Sequence, residues 1–183
     1  MLNWEASLSR NNPVRVVESL ELHEGQAAAD IGSGGGYFTL QFARRVGKTG
    51  KVYAVDINPK YLDFIRRQSE REGLDNIVFL LAADNELKLP QAGLDRIFAR
   101  NVFHHLPEPG GYFCRLKRFL KPYARVAIIE QNPKSRFSFA RVFKHYSPPE
   151  AILQRMERAG YSLTASFDFL PAQTFTVFEA GPK

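Results

Sequence analysis

The chain has 183 residues, 44% apolar and 24% charged, the proportions of one soluble globular domain with a sizeable core. Its single cysteine, Cys114, excludes an intrachain disulfide or a cysteine-built metal site, no apolar run reaches the about 18 residues of a membrane span, and "MLNWEASLSRNN" lacks the basic-then-apolar build of a secretory leader, so a cytoplasmic protein is expected. The net charge of +6 points weakly to an anionic partner (nucleic acid, membrane surface or acidic small molecule), against the commoner reading of a mildly basic soluble protein.

In chain order, "NNPVRVVESLEL" reads as a short helix capped by Asn12 and opened by Pro13, with Val14, Val17 and Leu20 on one face. "QAAADI" is a short buried strand that ends at glycines, and "YFTLQFARRV" after them has helical spacing. "VYAVDI" is a second apolar strand, closed by Asp56. In "NPKYLDFIRRQSEREG", Asn58 caps a helix, Pro59 opens it, Leu62, Ile65 and Ser69 share a face, and Gly73 stops it. "NIVFLLA" and "LDRIFAR" are the third and fourth strands, a helix near "GYFCRLKRFLK" runs to Pro122, and "ARVAIIE" is the fifth strand.

Helices thus alternate with strands that are continuous apolar runs, the mark of a parallel sheet covered on both faces. The C-terminal part differs. "SPPEAILQRMERAG" is a helix with Ser147 and Glu150 at capping-box spacing and Gly160 as its stop. "SLTASFDFL" and "TFTVFEA" follow, separated only by "PAQ", too short a link for a parallel crossover, so the sheet ends in an antiparallel hairpin. The expected fold is α/β: one Rossmann-like, doubly wound domain over residues 1–183, mostly parallel, with an antiparallel last strand.

Between the first strand and its helix stands "DIGSGGG". Ligands of open parallel sheets bind at the carboxyl ends of the strands, where glycines let the backbone approach closely. A dinucleotide fingerprint fails, because its third glycine would fall at Tyr37 or Thr39, and no lysine follows to make a phosphate loop. What fits is acid, apolar, Gly, small, Gly, any, Gly from Asp30 to Gly36, with a second acid, Asp56, closing the next strand.

With "AVD", "AADN", "LP", "LDRIFARNVFHHL", "LKPYARVAIIE" and a closing helix-and-hairpin in order, residues 13–180 resemble the class I S-adenosylmethionine-dependent methyltransferases, within them the type 11, quinone-biosynthesis-like group. That resemblance implies a seven-stranded sheet, S-adenosylmethionine as donor and S-adenosylhomocysteine as product. It implies that Gly32, Ser33, Gly34 and Gly36 pass around the methionyl part, with Asp30 near its amino group and Asp56 on both ribose hydroxyls. Asp84 or its neighbour Asn85 would meet the adenine amino group, Ile57 with Leu81 or Ala82 would sandwich the ring, and Asn101 and Phe103 would lie under the sulfonium. Tyr123 and Ala124 stand where the family usually has two turn glycines, which puts that turn in question.

Methyl transfer from a sulfonium needs alignment first and a base only for a protonated nucleophile, so no triad is required. Candidate bases are His104, beside the expected sulfonium, and His145; candidate acceptor contacts are His105, Tyr146 and Arg136. "NPKSRFSFARVFKHY" is basic and aromatic, and three readings of it stand: a lid over an anionic or aromatic small molecule, a contact for RNA or a membrane, or a core-packing helix with a solvated basic face. A single cysteine argues against arsenite methylation, its place in an expected helix rather than near a strand end argues against covalent pyrimidine C5 methylation, "ARNVFHHL" is not the Asp/Asn-Pro-Pro-aromatic motif of amino-methylating nucleic-acid enzymes, and Asn101 stands where a catechol-type metal site needs a carboxylate. The expectation is transfer to a small-molecule acceptor, with no metal, at a site left open or completed by a second copy in a homodimer. A methyltransferase of RNA or of a membrane-associated substrate acting through residues 134–146, and a non-catalytic S-adenosylmethionine-binding protein, are the alternatives.

Overall fold

The computed structural model describes residues 8, 11–82, 87–132 and 146–181. Its elements run α1 (Pro13–Ser19), β1 (Ala27–Ile31), α2 (Tyr37–Val46), β2 (Lys51–Asp56), α3 (Pro59–Arg71), β3 (Ile77–Leu81), β4 (Leu94–Arg100), α4 (Pro109–Leu116), β5 (Leu120–Gln131), α5 (Pro149–Arg158), β6 (Tyr161–Phe167) and β7 (Gln173–Ala180). The strands form one seven-stranded sheet in the order β3-β2-β1-β4-β5-β7-β6. β1 to β5 are parallel; β6 and β7 form the antiparallel hairpin that their short link requires, and β7 lies between β5 and β6, antiparallel to both.

Side chains alternate across the sheet and both faces are buried, which is why the strands read as unbroken apolar runs. Ala29, Ile31, Ile97, Ala99 and Ile128 face α4 and α5, where Phe113, Leu116, Ile152 and Met156 meet them. Ala28, Phe98, Ala127 and Ile129 face α1 and α2. Phe98 is the centre of that second layer, with ring centroids 4.9 Å from Phe38 and 5.3 Å from Phe42. From β1 the chain steps outward to β2 and β3, then returns to β4 on β1's other side. The carboxyl ends of β1 and β4 therefore part around a crevice, where open α/β sheets take their ligands.

Four local expectations are corrected. Asn12 takes a left-handed conformation and caps nothing with its side chain, which instead donates to the Phe169 carbonyl at 3.0 Å. The inward face of α1 is Pro13, Val16 and Leu20, while Val14 is 67% exposed. Ser147 is no cap either: a residue before proline avoids helical backbone, so α5 begins only after Pro148. The helix expected to reach Pro122 stops at Leu116, and β5 has begun by Leu120, which pairs with Leu94; Lys121 bridges to Asp95 at 2.7 Å. Sheet pairing outweighs a helical pattern there. Tyr123 keeps a glycine-like backbone, φ 62°, with its side chain in solvent, so the turn survives the loss of glycine.

Replacing Phe98 by Ala empties the centre of the layer that carries α2, and is expected to cost about 3–5 kcal/mol in denaturant unfolding.

Candidate active site

The turn from β1 into α2 is held from the neighbouring strand. Gly32 N–H and Ser33 N–H both donate to the Val55 carbonyl, at 2.8 and 3.0 Å, and Gly34 N–H donates to Asp56 Oδ2 at 2.8 Å. The other carboxylate oxygen of Asp56 accepts Asn58 N–H at 2.9 Å, at the start of α3. One carboxylate at the end of β2 thus ties down both adjoining loops.

The glycines divide by cause. Gly32 and Gly36 have φ of +70° and +78°, and a Cβ on them would strike Val102 and Ile65 at 2.2 and 2.5 Å. Those two are demanded by packing of the turn against β4's exit and α3. At Gly34 a Cβ would meet only the Gly32 carbonyl, at 3.9 Å, so this glycine leaves the backbone open toward the crevice.

Asp30 is 3% exposed and sits under the first turn of α2. Thr39 gives it both a hydroxyl bond of 2.6 Å and its backbone N–H, so Asp30 caps α2 from the sheet. Burial nevertheless pushes its pKa from 3.8 up to about 7, the Thr39 bonds oppose this, the nearby Asp56 charge adds to it, and Arg100 pulls weakly down.

The crevice is a cavity of about 1140 Å³, somewhat above the usual range of small-molecule sites. On the side of β1 and β2 its wall carries Asp30, Gly32, Ser33, Gly34, Gly36, Asp56 and Ile57, all singled out from sequence; Ala82 joins them, whereas Leu81 does not line it. Ser33 Oγ is buried with no hydrogen-bond partner among the described residues. From the exit of β4, Asn101, with φ 55°, and His105 reach the same cavity.

Phe103 and His104 go elsewhere. Phe103 is fully buried, stacked on Phe113 at 5.5 Å in the core, and does not line the cavity. His104 also lies off the wall, because Glu130 captures it: Nδ1 and Glu130 Oε2 share a hydrogen bond of 2.7 Å, and Glu130 Oε1 accepts Phe103 N–H at 2.7 Å. Glu130 is fully buried at the carboxyl end of β5; burial pushes its pKa up and the His104 contact pulls it back. His105, whose ring centroid is 4.0 Å from that of His104, is the one turned to the cavity. Tyr146 is half-buried and not on the wall, while Asp84, Asn85, Arg136 and His145 lie outside the described residues, as does most of the 134–146 segment.

Sequence reasoning missed Arg100, Glu130 and Thr39. For the first two a signal existed: each closes a buried apolar strand with a charge, as Asp30 and Asp56 do.

A family model described as a methyltransferase domain matches residues 22–160. A protein-L-isoaspartate O-methyltransferase of Methanococcoides burtonii is 32% identical over 59% of this chain and 54% of its own length. A ubiquinone/menaquinone biosynthesis C-methyltransferase of Azotobacter vinelandii is 30% identical over 72% and 52%. The chain spans about half the length of the curated relatives it matches. Among solved structures, a SAM-dependent methyltransferase from Aquifex aeolicus superposes with TM-score 0.80 at 27% identity, covering 94% of this chain and 92% of that one.

Two outcomes are expected. Between about pH 4 and 7 the unfolded chain has lost the Asp30 proton while the folded chain keeps it, so Asp30 lowers stability progressively as pH rises through that window. Asp30→Asn should therefore melt above the wild type at pH 8 and lose that advantage toward pH 4, read by thermal denaturation. Gly36→Ala should cost about 2–4 kcal/mol from overpacking and left-handed strain together, and Gly34→Ala only about 1–2 kcal/mol from strain, both read by chemical unfolding.

Proposed function

The chain belongs to the family of S-adenosylmethionine-dependent methyltransferases, and we propose that it transfers a methyl group from S-adenosylmethionine to a small-molecule acceptor by in-line displacement. The observation that carries this reading is the pair of buried acids, Asp30 and Asp56, flanking a backbone turn that opens at Gly34 on one cavity wall.

The residues present fit such a donor. Asp56 uses one acceptor position on each oxygen for a backbone N–H and retains capacity for two ribose hydroxyls. Asp30, held near neutrality by burial, gains its charge when an ammonium comes to it. The orphaned Ser33 hydroxyl is a further polar group on the same wall. Ile57, 80% exposed on the wall, offers an apolar surface for a base.

S-adenosylmethionine supplies, when bound, an electrophilic methyl group on a sulfonium. The chain's part is to hold donor and acceptor aligned, which is worth several kcal/mol of the barrier without any covalent participation. Asn101 and His105 line the cavity after β4, where His105 takes the proton of an acceptor that must lose one. His104 acts behind it as a brace set by Glu130. A cavity of this size supports a small acceptor, and the names of the quinone-biosynthesis relatives agree with that class. A cytoplasmic location, and an acceptor side completed by a second copy, go with the reading; among the described residues no helix is long and apolar enough to cross a membrane.

Calorimetry with S-adenosylhomocysteine is expected to show binding by the wild type and a loss of roughly two orders of magnitude in Asp56→Ala, since two bonds to a charged acceptor disappear. Because the ammonium selects ionised Asp30, affinity should fall roughly tenfold from pH 8 to pH 6. A wild type that binds no S-adenosylhomocysteine would end this reading.

A further inference from the structure

Gln173 opens β7, is 9% exposed and does not line the cavity, and it has no part in the reading above. Its amide joins two residues that do line it. Gln173 Oε1 accepts Arg100 Nη2 at 3.4 Å, and Gln173 Nε2 donates to Asn101 Oδ1 at 3.3 Å. Register brings the three together. Phe98 lies opposite Asp30 across the parallel β1–β4 pair, so Arg100, two residues further along, emerges on the same face as Asp30, and Asn101 follows it. Asn101 N–H is tied to the Ile129 carbonyl of β5 at 2.8 Å, and the last residue of β5, Gln131, pairs with Gln173.

A side-chain amide has a donor end and an acceptor end of nearly the same shape, and its partners decide which way it points. Here the direction is forced from one end. A guanidinium has donors and no acceptor, and it keeps its charge at any working pH. Arg100 therefore claims the oxygen of Gln173, and one such bond suffices whatever else the guanidinium holds. The nitrogen of Gln173 is left facing Asn101, where only an oxygen can receive it. Turning either amide round would set N–H against N–H or oxygen against oxygen.

Asn101 is then left with Nδ2, which makes no hydrogen bond among the described residues. Its oxygen is committed to β7, so the group that Asn101 offers to the cavity it lines is an N–H donor. His105 reaches the cavity from the same exit of β4. A buried or half-buried donor discriminates by what it leaves unpaired: a ligand that cannot accept from it loses the bond and strands the group.

We propose that Gln173 is a positioning residue that holds the Asn101 amide nitrogen toward the methyl acceptor, so that the site selects acceptors presenting a hydrogen-bond-accepting oxygen. Protonated and aromatic amines, which offer N–H groups at that position, are disfavoured. This rests on the donor assignment above, which puts the methyl acceptor beside Asn101. Gln173 touches neither ligand; it sets the choice by orienting a residue that does.

The test is ligand-observed NMR at pH 8 on the protein saturated with S-adenosylhomocysteine, using two uncharged probes of similar size. Acetophenone offers only an oxygen acceptor, and N-methylaniline offers an N–H. The wild type is expected to bind acetophenone about fivefold or more tighter than N-methylaniline, the worth of one hydrogen bond. In Gln173→Glu the carboxylate can only accept, so it keeps Arg100 and turns the Asn101 amide round; the preference should invert. The added charge acts on both uncharged probes alike. Gln173→Met leaves the amide unset and should bring the ratio toward one, and it serves if the Glu variant does not fold. A wild type that binds neither probe, or both equally, overturns the proposal. So does an unchanged ratio in the variants, including an equal loss of both probes, which would be a structural effect alone. A wild type that binds no S-adenosylhomocysteine defeats the donor assignment itself.

Discussion

The structure turns on one buried carboxylate at the end of β2. Asp56 holds Gly34 N–H with one oxygen and Asn58 N–H with the other, so the turn into α2 and the start of α3 are both referred to a single rigid strand end. The Val55 carbonyl adds two bonds to the same turn. Charge-assisted bonds to backbone amides are short and directional, and they hold a glycine-rich segment that would otherwise be costly to order. A cavity wall results whose shape is settled before any ligand arrives.

The site is built from charges that close buried strands. Asp30, Asp56, Arg100 and Glu130 stand at or next to the carboxyl ends of four neighbouring strands, β1, β2, β4 and β5. Each is stabilised by a different device: a helix turn and hydroxyl for Asp30, two loop amides for Asp56, a glutamine and an aromatic ring for Arg100, a histidine and an amide for Glu130. Burial opposes charge at Asp30 and Glu130, and their pKa values rise accordingly. The fold gives up stability at these points, and the concession is concentrated where the crevice opens, as strained and desolvated groups at functional sites commonly are.

Most of the architecture was legible in the chain. Continuous apolar runs announced two-faced burial, Asn58 and Gly73 marked the ends of α3, and the short link before β7 dictated an antiparallel hairpin. Three misreadings share one origin, a partner elsewhere in the chain. Asn12 had the right residue type for a cap, yet a carbonyl 157 positions away claimed its side chain. "RFLK" reads as helix, but Leu120 and Lys121 found partners on β4. His104 and His105 are indistinguishable as neighbours in sequence; Glu130 on the next strand takes one and leaves the other to the cavity.

By itself the sequence determined which strands are buried, where the chain turns, and that two acids and a glycine run meet at the crevice, because those properties follow from local composition, periodicity and the short reach of the backbone. Only the tertiary structure decided which of the glycines are forced by packing and which one opens the wall, that Phe103 joins the core and His104 turns to Glu130, and that Arg100 shares a face with Asp30. Those outcomes depend on strand register and on partners far away in the chain, where a shift of a single residue would turn each side chain to the other face of the sheet.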